Sequence, residues 1–255
     1  MRIIGIVVVA LMSCLGIAKP ISSSLGARST AIVENGGEAG IPYVTDGLVA
    51  MWDGIWNVGL GRHDGQAIIW RDLVNGQDLF VSRGFWGDDG LYGSASAACE
   101  AIFSDSSYSL KSIVSATAST TVGCTVEYGC TPFGYGNTPY DLYGSWRIYT
   151  IGSSSAWTWY RCNSWVLNVS SVGELMVPIS FSGVSTPRIP HPNIKLFING
   201  EFLSQGAYTP QTDSVTDVFT VGLKGCVHYL RIYSRALTEE EIAWNFAVDQ
   251  ARFGL

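Results

Sequence analysis

The chain has 255 residues and a formal net charge of −6, from 15 Lys+Arg against 21 Asp+Glu. Hydrophobic residues make up 47%, enough for a core and too many for a disordered chain. The acidic balance argues against nucleic acid or an anionic membrane surface as partner, since both need a basic face.

Only 14% of residues are charged, there are 29 glycines, and aromatics reach 12%. That is a composition of strands and turns rather than of helical bundles. At the N-terminus, Met1-Arg2 is followed by an uncharged stretch from Ile3 to Ala18 and then Lys19-Pro20. A spanning helix needs about 20 apolar residues, so residues 1–19 are expected to be a signal peptide or hydrophobic leader. Two alternatives stay open: a lipid on Cys14, or a retained N-terminal segment. Residues 20–40 are rich in Ser, Gly and Ala and read as a flexible linker. The folded domain is expected over 41–255.

Gly47 to Trp52 is a compact apolar run closed by Asp53-Gly54. Gln66 to Trp70 is a second run, closed by Asp72 and Asn75-Gly76. Thr120 to Tyr128 alternates, with Val122, Cys124 and Val126 on one side. Trp146–Ile151, Trp157–Val169 and Leu175–Phe181 are further strands. Asn199-Gly200 between Ile194–Ile198 and Glu201–Leu203 predicts a type I′ hairpin, because both central positions need positive φ. Val218–Leu223 and Cys226–Tyr233 are expected as a last strand pair, with His228, Leu230 and Ile232 on one face. Thr238 and Glu241 form a capping box. Leu237 and Ile242 are placed as a hydrophobic staple, which predicts a helix over Glu239–Arg252 with Ile242, Phe246 and Phe253 inward. Many short strands and one terminal helix point to an all-β fold: a two-sheet antiparallel jelly-roll sandwich with a short C-terminal α-helix.

The hairpin Lys195–Leu203, the strand Gly225–Leu237 and the following Thr-Glu-Glu-Glu-Ile242 resemble the closing elements of laminin-G-like, concanavalin A-like domains. Gly47–Gly54 and Trp70–Asp78 resemble the first strand of that family and its Asp- and Gly-rich turn. The phrasing is similar to proteins of gut bacteria and their phages. The resemblance implies a sandwich that binds glycans or other extracellular ligands. It also implies Ca²⁺ near the sandwich rim, for which Asp72 and Asp78 are the first candidates, with Asp53 and Asn75 near them in hard-oxygen turns. Asp and Asn in Gly turns also make Asx-turns without any metal.

Catalysis by the laminarinase-type members of this fold needs paired carboxylates, delivered by Glu-x-Asp-x-x-Glu on one strand face. No Glu here has Asp two residues on. Glu127 and Glu174 are single carboxylates, His63, His191 and His228 are isolated, and neither a Gly-x-Ser-x-Gly elbow nor a P-loop occurs. The chain is therefore expected not to be an enzyme. His228 reads as a core or edge histidine. The six cysteines lack a Cys-x-x-Cys and read mostly as small buried residues.

Of nine tryptophans, Trp52, Trp70 and Trp244 are expected in the core. Trp157 and Trp159 alternate on one strand, where a row of aromatic faces stacks on sugar rings; core packing is the competing use. Trp56 and Trp86 lie in Gly- and Asp-rich loops, where an exposed aromatic suits binding. The carbohydrate-binding candidates are thus Trp56, Trp86, Trp157 and Trp159. The expected function is a non-catalytic lectin-like module, secreted or at a cell surface, whose partner is a glycan or polysaccharide. A phage tail or fibre protein, self-associating or docking on other virion proteins, is the alternative, and a divergent glycan hydrolase is the third.

Overall fold

The computed structural model describes residues 40–93, 99–103, 119–126, 133–135, 147–150, 157–161, 164–169, 178–186, 193–207, 219–221 and 224–255. The expected leader and linker, and Glu127, Glu174 and His191, lie outside the described residues.

The described chain runs through β1 (Leu48–Asp53), β2 (Ile69–Trp70), β3 (Leu79–Arg83), β4 (Phe85–Trp86), β5 (Leu91–Tyr92) and β6 (Glu100–Phe103). It continues through β7 (Ser119–Val126), β8 (Phe133–Tyr135), β9 (Arg147–Thr150), β10 (Trp157–Arg161) and β11 (Ser164–Val169). The last elements are β12 (Pro178–Thr186), β13 (Asn193–Ile198), β14 (Glu201–Ala207), β15 (Phe219–Val221), β16 (Gly225–Tyr233) and helix α1 (Glu239–Phe253).

Two antiparallel sheets form a jelly-roll sandwich. One is ordered β14-β13-β12-β7-β16-β5-β4, with β1 also on β16. The other is ordered β11-β10-β9-β8-β15-β6-β3-β2. Tryptophans tie the layers together. Trp52 on β1 donates to Gln77 O at 3.0 Å, and Trp70 on β2 donates to Asp53 O at 3.1 Å. Both are fully buried, as expected. Each indole fills the core and still satisfies its N–H, which burial would otherwise penalise.

The hairpin at Asn199-Gly200 has φ of 49° and 78°, the two positive values that its tight turn requires. The expected pairing of the last two strands does not occur. β15 pairs with β6 and β8 in one sheet, whereas β16 lies in the other between β7 and the β1/β5 side. β15 and β16 thus lie in different layers; Gly225, with φ of 126°, opens β16. The stretch 157–169 is likewise not one strand but the paired strands β10 and β11.

Helix α1 starts as the capping box predicts. Thr238 Oγ1 accepts from Glu241 N at 3.2 Å, and Glu241 Oε2 accepts from Thr238 N at 2.9 Å. Leu237 and Ile242 pack in one buried cluster with Val184, Phe197 and Tyr233. The inward stripe differs from the expected one: it is Ile242, Asn245, Asp249 and Phe253. Two of these are polar because the sheet presents polar partners. Asp249 takes a two-pronged ion pair from Arg231, and both side chains are completely buried. Asn245 donates to the Tyr233 hydroxyl at 3.0 Å and accepts from Val44 N at 3.0 Å.

The sheet under the helix is covered on both sides, so β7 does not simply alternate. Val122 and Cys124 are buried, and so are Ser119 and Thr121. The hydroxyls are paired there: Thr121 with Ser182 at 2.9 Å, and Ser119 with Arg235 O at 2.9 Å. Trp244, expected in the core, sits on the outer side of α1, 59% exposed. It falls outside the inward stripe of Ile242, Asn245, Asp249 and Phe253, and the helical period turns it to solvent.

Candidate functional site

Residues 53–73 form a loop system at one edge of the sandwich, locked by its own polar side chains. Asp53 Oδ1 accepts from Trp56 N at 3.0 Å. Asn57 closes the segment to Asp64 with two bonds: its Nδ2 donates to Asp64 O at 2.8 Å and its Oδ1 accepts from Asp64 N at 2.9 Å. Gly59 and Gly61 take positive φ within that closed segment. His63 Nδ1 lies 3.1 Å from Gly54 O, and Arg71 N donates to Asn57 O at 2.9 Å. Loops held this way present side chains with little entropy left to lose on binding.

Along this loop runs a groove of about 1020 Å³, lined by Leu60, Arg62, Asp64, Ile68 and Arg71 among others. A second hollow of about 220 Å³ adjoins it across Ile68 and is lined by Gln66, Ser82, Arg83, Phe85 and Trp86. Ile68 is 65% exposed and Phe85 57%, and Leu60 and Phe80 are also exposed. Phe85 stacks on Tyr92 with ring centroids 5.7 Å apart. Large apolar side chains gathered on one surface call for a partner more than singly scattered ones do.

The charged groups around the groove differ in how free they are. Arg71 is paired with Asp78 and Arg83 with Glu100. Arg62 makes no ion pair among the described residues. Its guanidinium lies across Gly59, with one long bond of 3.5 Å to Val58 O. It is an exposed donor fork at the groove wall.

The expected site residues fall in three places. Trp56 is half-buried under Arg252, whose guanidinium sits 3.8 Å above the ring. Arg252 also grips buried Asp53, at 2.6 and 3.1 Å. Burial pushes the Asp53 carboxyl up, against the pull of Arg252. Trp86 corrects the expectation of an exposed loop aromatic. It lies on β4, is 9% exposed, donates to Ala67 O at 2.7 Å, and meets Trp70 edge-on at 5.2 Å. Trp157 and Trp159 lie on β10 opposite Val169 and Leu167, and their side chains lie outside the described residues.

Asp72 and Asp78 do come together, since Asp78 Oδ1 accepts from Asp72 N at 3.0 Å. Their arrangement does not fit the expected Ca²⁺. Both Asp72 oxygens are taken by backbone amides: Met51 N and Val74 N on one, Asn75 N and Gln77 N on the other, at 2.9–3.1 Å. Burial pushes the Asp72 carboxyl up while these amides pull it down. A cation there would face four N–H dipoles that point their positive ends at its ligands, and Asp78 is occupied by Arg71. The pair instead closes the 72–78 turn.

The residues that sequence reasoning missed are Arg62, Ile68 and Phe85. Ala67-Ile68-Ile69-Trp70 reads as one apolar run, yet β2 holds only Ile69 and Trp70, and Ile68, just before the strand, is exposed while Trp70 takes the core.

Comparison with known proteins shows the fold and no more. No protein-family model matches the chain. No curated protein matches it. Among solved structures, Trypanosoma rangeli sialidase in complex with sialic acid aligns with a TM-score of 0.57 at 14% identity. That alignment covers 80% of this chain and 33% of the sialidase. A mutant of the same sialidase displaying trans-sialidase activity aligns with a TM-score of 0.56 at 15% identity, over 82% of this chain and 34% of that one. A structure titled "Crystal structure of HCR/D-Sa-GBL1/C" aligns with a TM-score of 0.53 at 13% identity, over 80% of this chain and 52% of that one. The chain thus spans about a third of the length of the sialidases it resembles. These neighbours overturn the expectation that the chain is not an enzyme. The fold occurs within enzymes of a class other than the laminarinases, so a missing Glu-x-Asp-x-x-Glu does not exclude catalysis. What the likeness establishes is the β-sandwich fold.

Proposed function

We propose that the chain is an exported, laminin-G-like glycan-binding domain that takes its sugar in the groove beside residues 53–73. One observation carries this reading: a rigid groove in which exposed Ile68 and Leu60 stand beside the exposed guanidinium of Arg62 and the Asp64 carboxylate. Sugars present apolar C–H faces and hydroxyl edges together, and a concave site with a few placed polar groups on an apolar floor matches both. The sialic acid bound in the neighbouring sialidase makes acidic sugars a first probe, because a guanidinium grips a carboxylate with two parallel bonds.

The test is a glycan array that includes neutral polysaccharides and sialylated oligosaccharides, followed by calorimetry on the best binder. Arg62→Ala and Ile68→Ser change exposed side chains and should leave the circular dichroism spectrum intact. Each should weaken binding by roughly tenfold, the size of one good contact at about 1.4 kcal/mol. Retained affinity in both variants would move the site elsewhere. No binding to any glycan by a folded chain would end the reading. Assaying the same panel for released sugar reads whether a bound glycan is also cleaved.

A further inference from the structure

Where β16 begins, beside the β4–β5 hairpin, lies a group of three side chains that the groove does not use. Asp89, in that hairpin, and Cys226 and His228, on β16, bring one oxygen, one sulfur and one nitrogen within 4.8 Å of one another. Cys226 and His228 are each 1% exposed, and Asp89 opens toward solvent. The contacts centre on His228 Nδ1. It lies 3.2 Å from Asp89 O, 3.3 Å from Asp89 Oδ2 and 3.5 Å from Cys226 Sγ. A ring nitrogen offers one proton or one lone pair, so it cannot make three good hydrogen bonds, and both oxygen contacts are long.

The two separations from His228 Nδ1 suit a shared cation. With metal–nitrogen, –oxygen and –sulfur bonds of about 2.0–2.1, 2.0–2.2 and 2.3 Å, a tetrahedral ion sets its ligands about 3.4 Å apart for N···O and about 3.6 Å for N···S. The observed separations are 3.3 and 3.5 Å. Two of the ligands are also held from behind. His228 Nε2 lies 2.9 Å from Thr125 Oγ1, and the Tyr92 hydroxyl donates to Asp89 Oδ1 at 2.6 Å. That is how an outer shell fixes the ring orientation and aims the carboxylate in a metal site. Gly90 packs directly against the thiol, since a Cβ there would collide with Cys226 Sγ.

We propose that Asp89 Oδ2, Cys226 Sγ and His228 Nδ1 form a three-ligand site for a divalent cation of the zinc class. The ion replaces the thiol proton, which leaves to solvent, and His228 turns its Nε2–H to Thr125. The mixed N, S and O donors select a borderline-soft ion over Ca²⁺ or Mg²⁺, which take oxygen alone. Three protein ligands leave a tetrahedral ion one position for water or a small anion.

The test uses the full chain, kept reduced, with Zn²⁺ or Co²⁺ alone. One ion per chain should survive dialysis, and Co²⁺ should give a thiolate-to-metal charge-transfer band. Cys226→Ser should abolish that band. Asp89→Asn changes a half-exposed side chain, so it should fold, and it should weaken Zn²⁺ binding tenfold or more. A tenfold excess of Ca²⁺ should displace nothing. Failure of the reduced wild-type chain to retain zinc would overturn the proposal. A cobalt complex without the thiolate band, or retention unchanged in Asp89→Asn, would overturn it equally.

Discussion

Asp72 shows how much one side chain can organise. Its two oxygens hold four amide N–H groups, and those groups fix the turn that hands the chain from the groove loop to β3. Asp72→Ala leaves buried donors unmatched, at about 1–3 kcal/mol for such a group. The urea midpoint should fall accordingly, and added calcium should leave the wild-type midpoint unchanged. Gly123 is a second sensitive point, because a Cβ there would collide with the Tyr229 ring. Gly123→Ala should lower stability by about 1–3 kcal/mol through overpacking, again read by urea unfolding. At this scale the sequence was uneven. Asp72 and Asp78 were visible as turn oxygens, but whether amides or a cation filled them depended on where Met51 and Gln77 sit. Cys226 and His228 were visible as strand neighbours on one face, two residues apart. Asp89 was not, because only the register of β16 on β5 brings it there.

Helix α1 carries two kinds of stabilisation that respond differently to change. Its start is local: Thr238→Ala removes the cap and should cost about 1 kcal/mol. Its seat is not local. Asp249→Ala would strand Arg231 in the core, at about 3–5 kcal/mol for a broken buried pair, and thermal melts of both variants should separate the two effects. Glu241 adds a pH dependence. The Arg235 guanidinium, paired with it at 2.6 and 2.7 Å, holds its carboxyl below the ordinary value. A lowered carboxylate favours the folded state above its unfolded pKa and loses that contribution as pH falls through the folded one. The thermal midpoint should therefore drop on acidification below the ordinary carboxylate range, and less so in Glu241→Gln. The helix was legible because a capping box and a staple are written in adjacent residues. Its buried Asn245 and Asp249 were not, because their partners Tyr233 and Arg231 belong to a strand whose outer face cannot be read from the helix period.

Across the whole molecule, the sandwich joins distant segments. β1 pairs with β16, and Val44, Tyr43 and Pro42 contact Asn245, Arg252 and Trp244. The class of fold followed from many short alternating runs and one terminal helix. The sheet order did not, because a short link between β15 and β16 can as well turn a hairpin as cross between layers, and local pattern does not distinguish them. The pairing of first strand with last has a further consequence. The two ends of the described fold meet on one side, so their covalent order is dispensable. A circular permutant that joins Leu255 to Gly40 through a short linker and opens the chain at exposed Gly61 should keep the wild-type circular dichroism and cooperative melting. The cut falls in the groove wall, so that permutant should lose the proposed sugar affinity while the sandwich stands: strand pairing holds the fold, and the groove takes up only one edge of it.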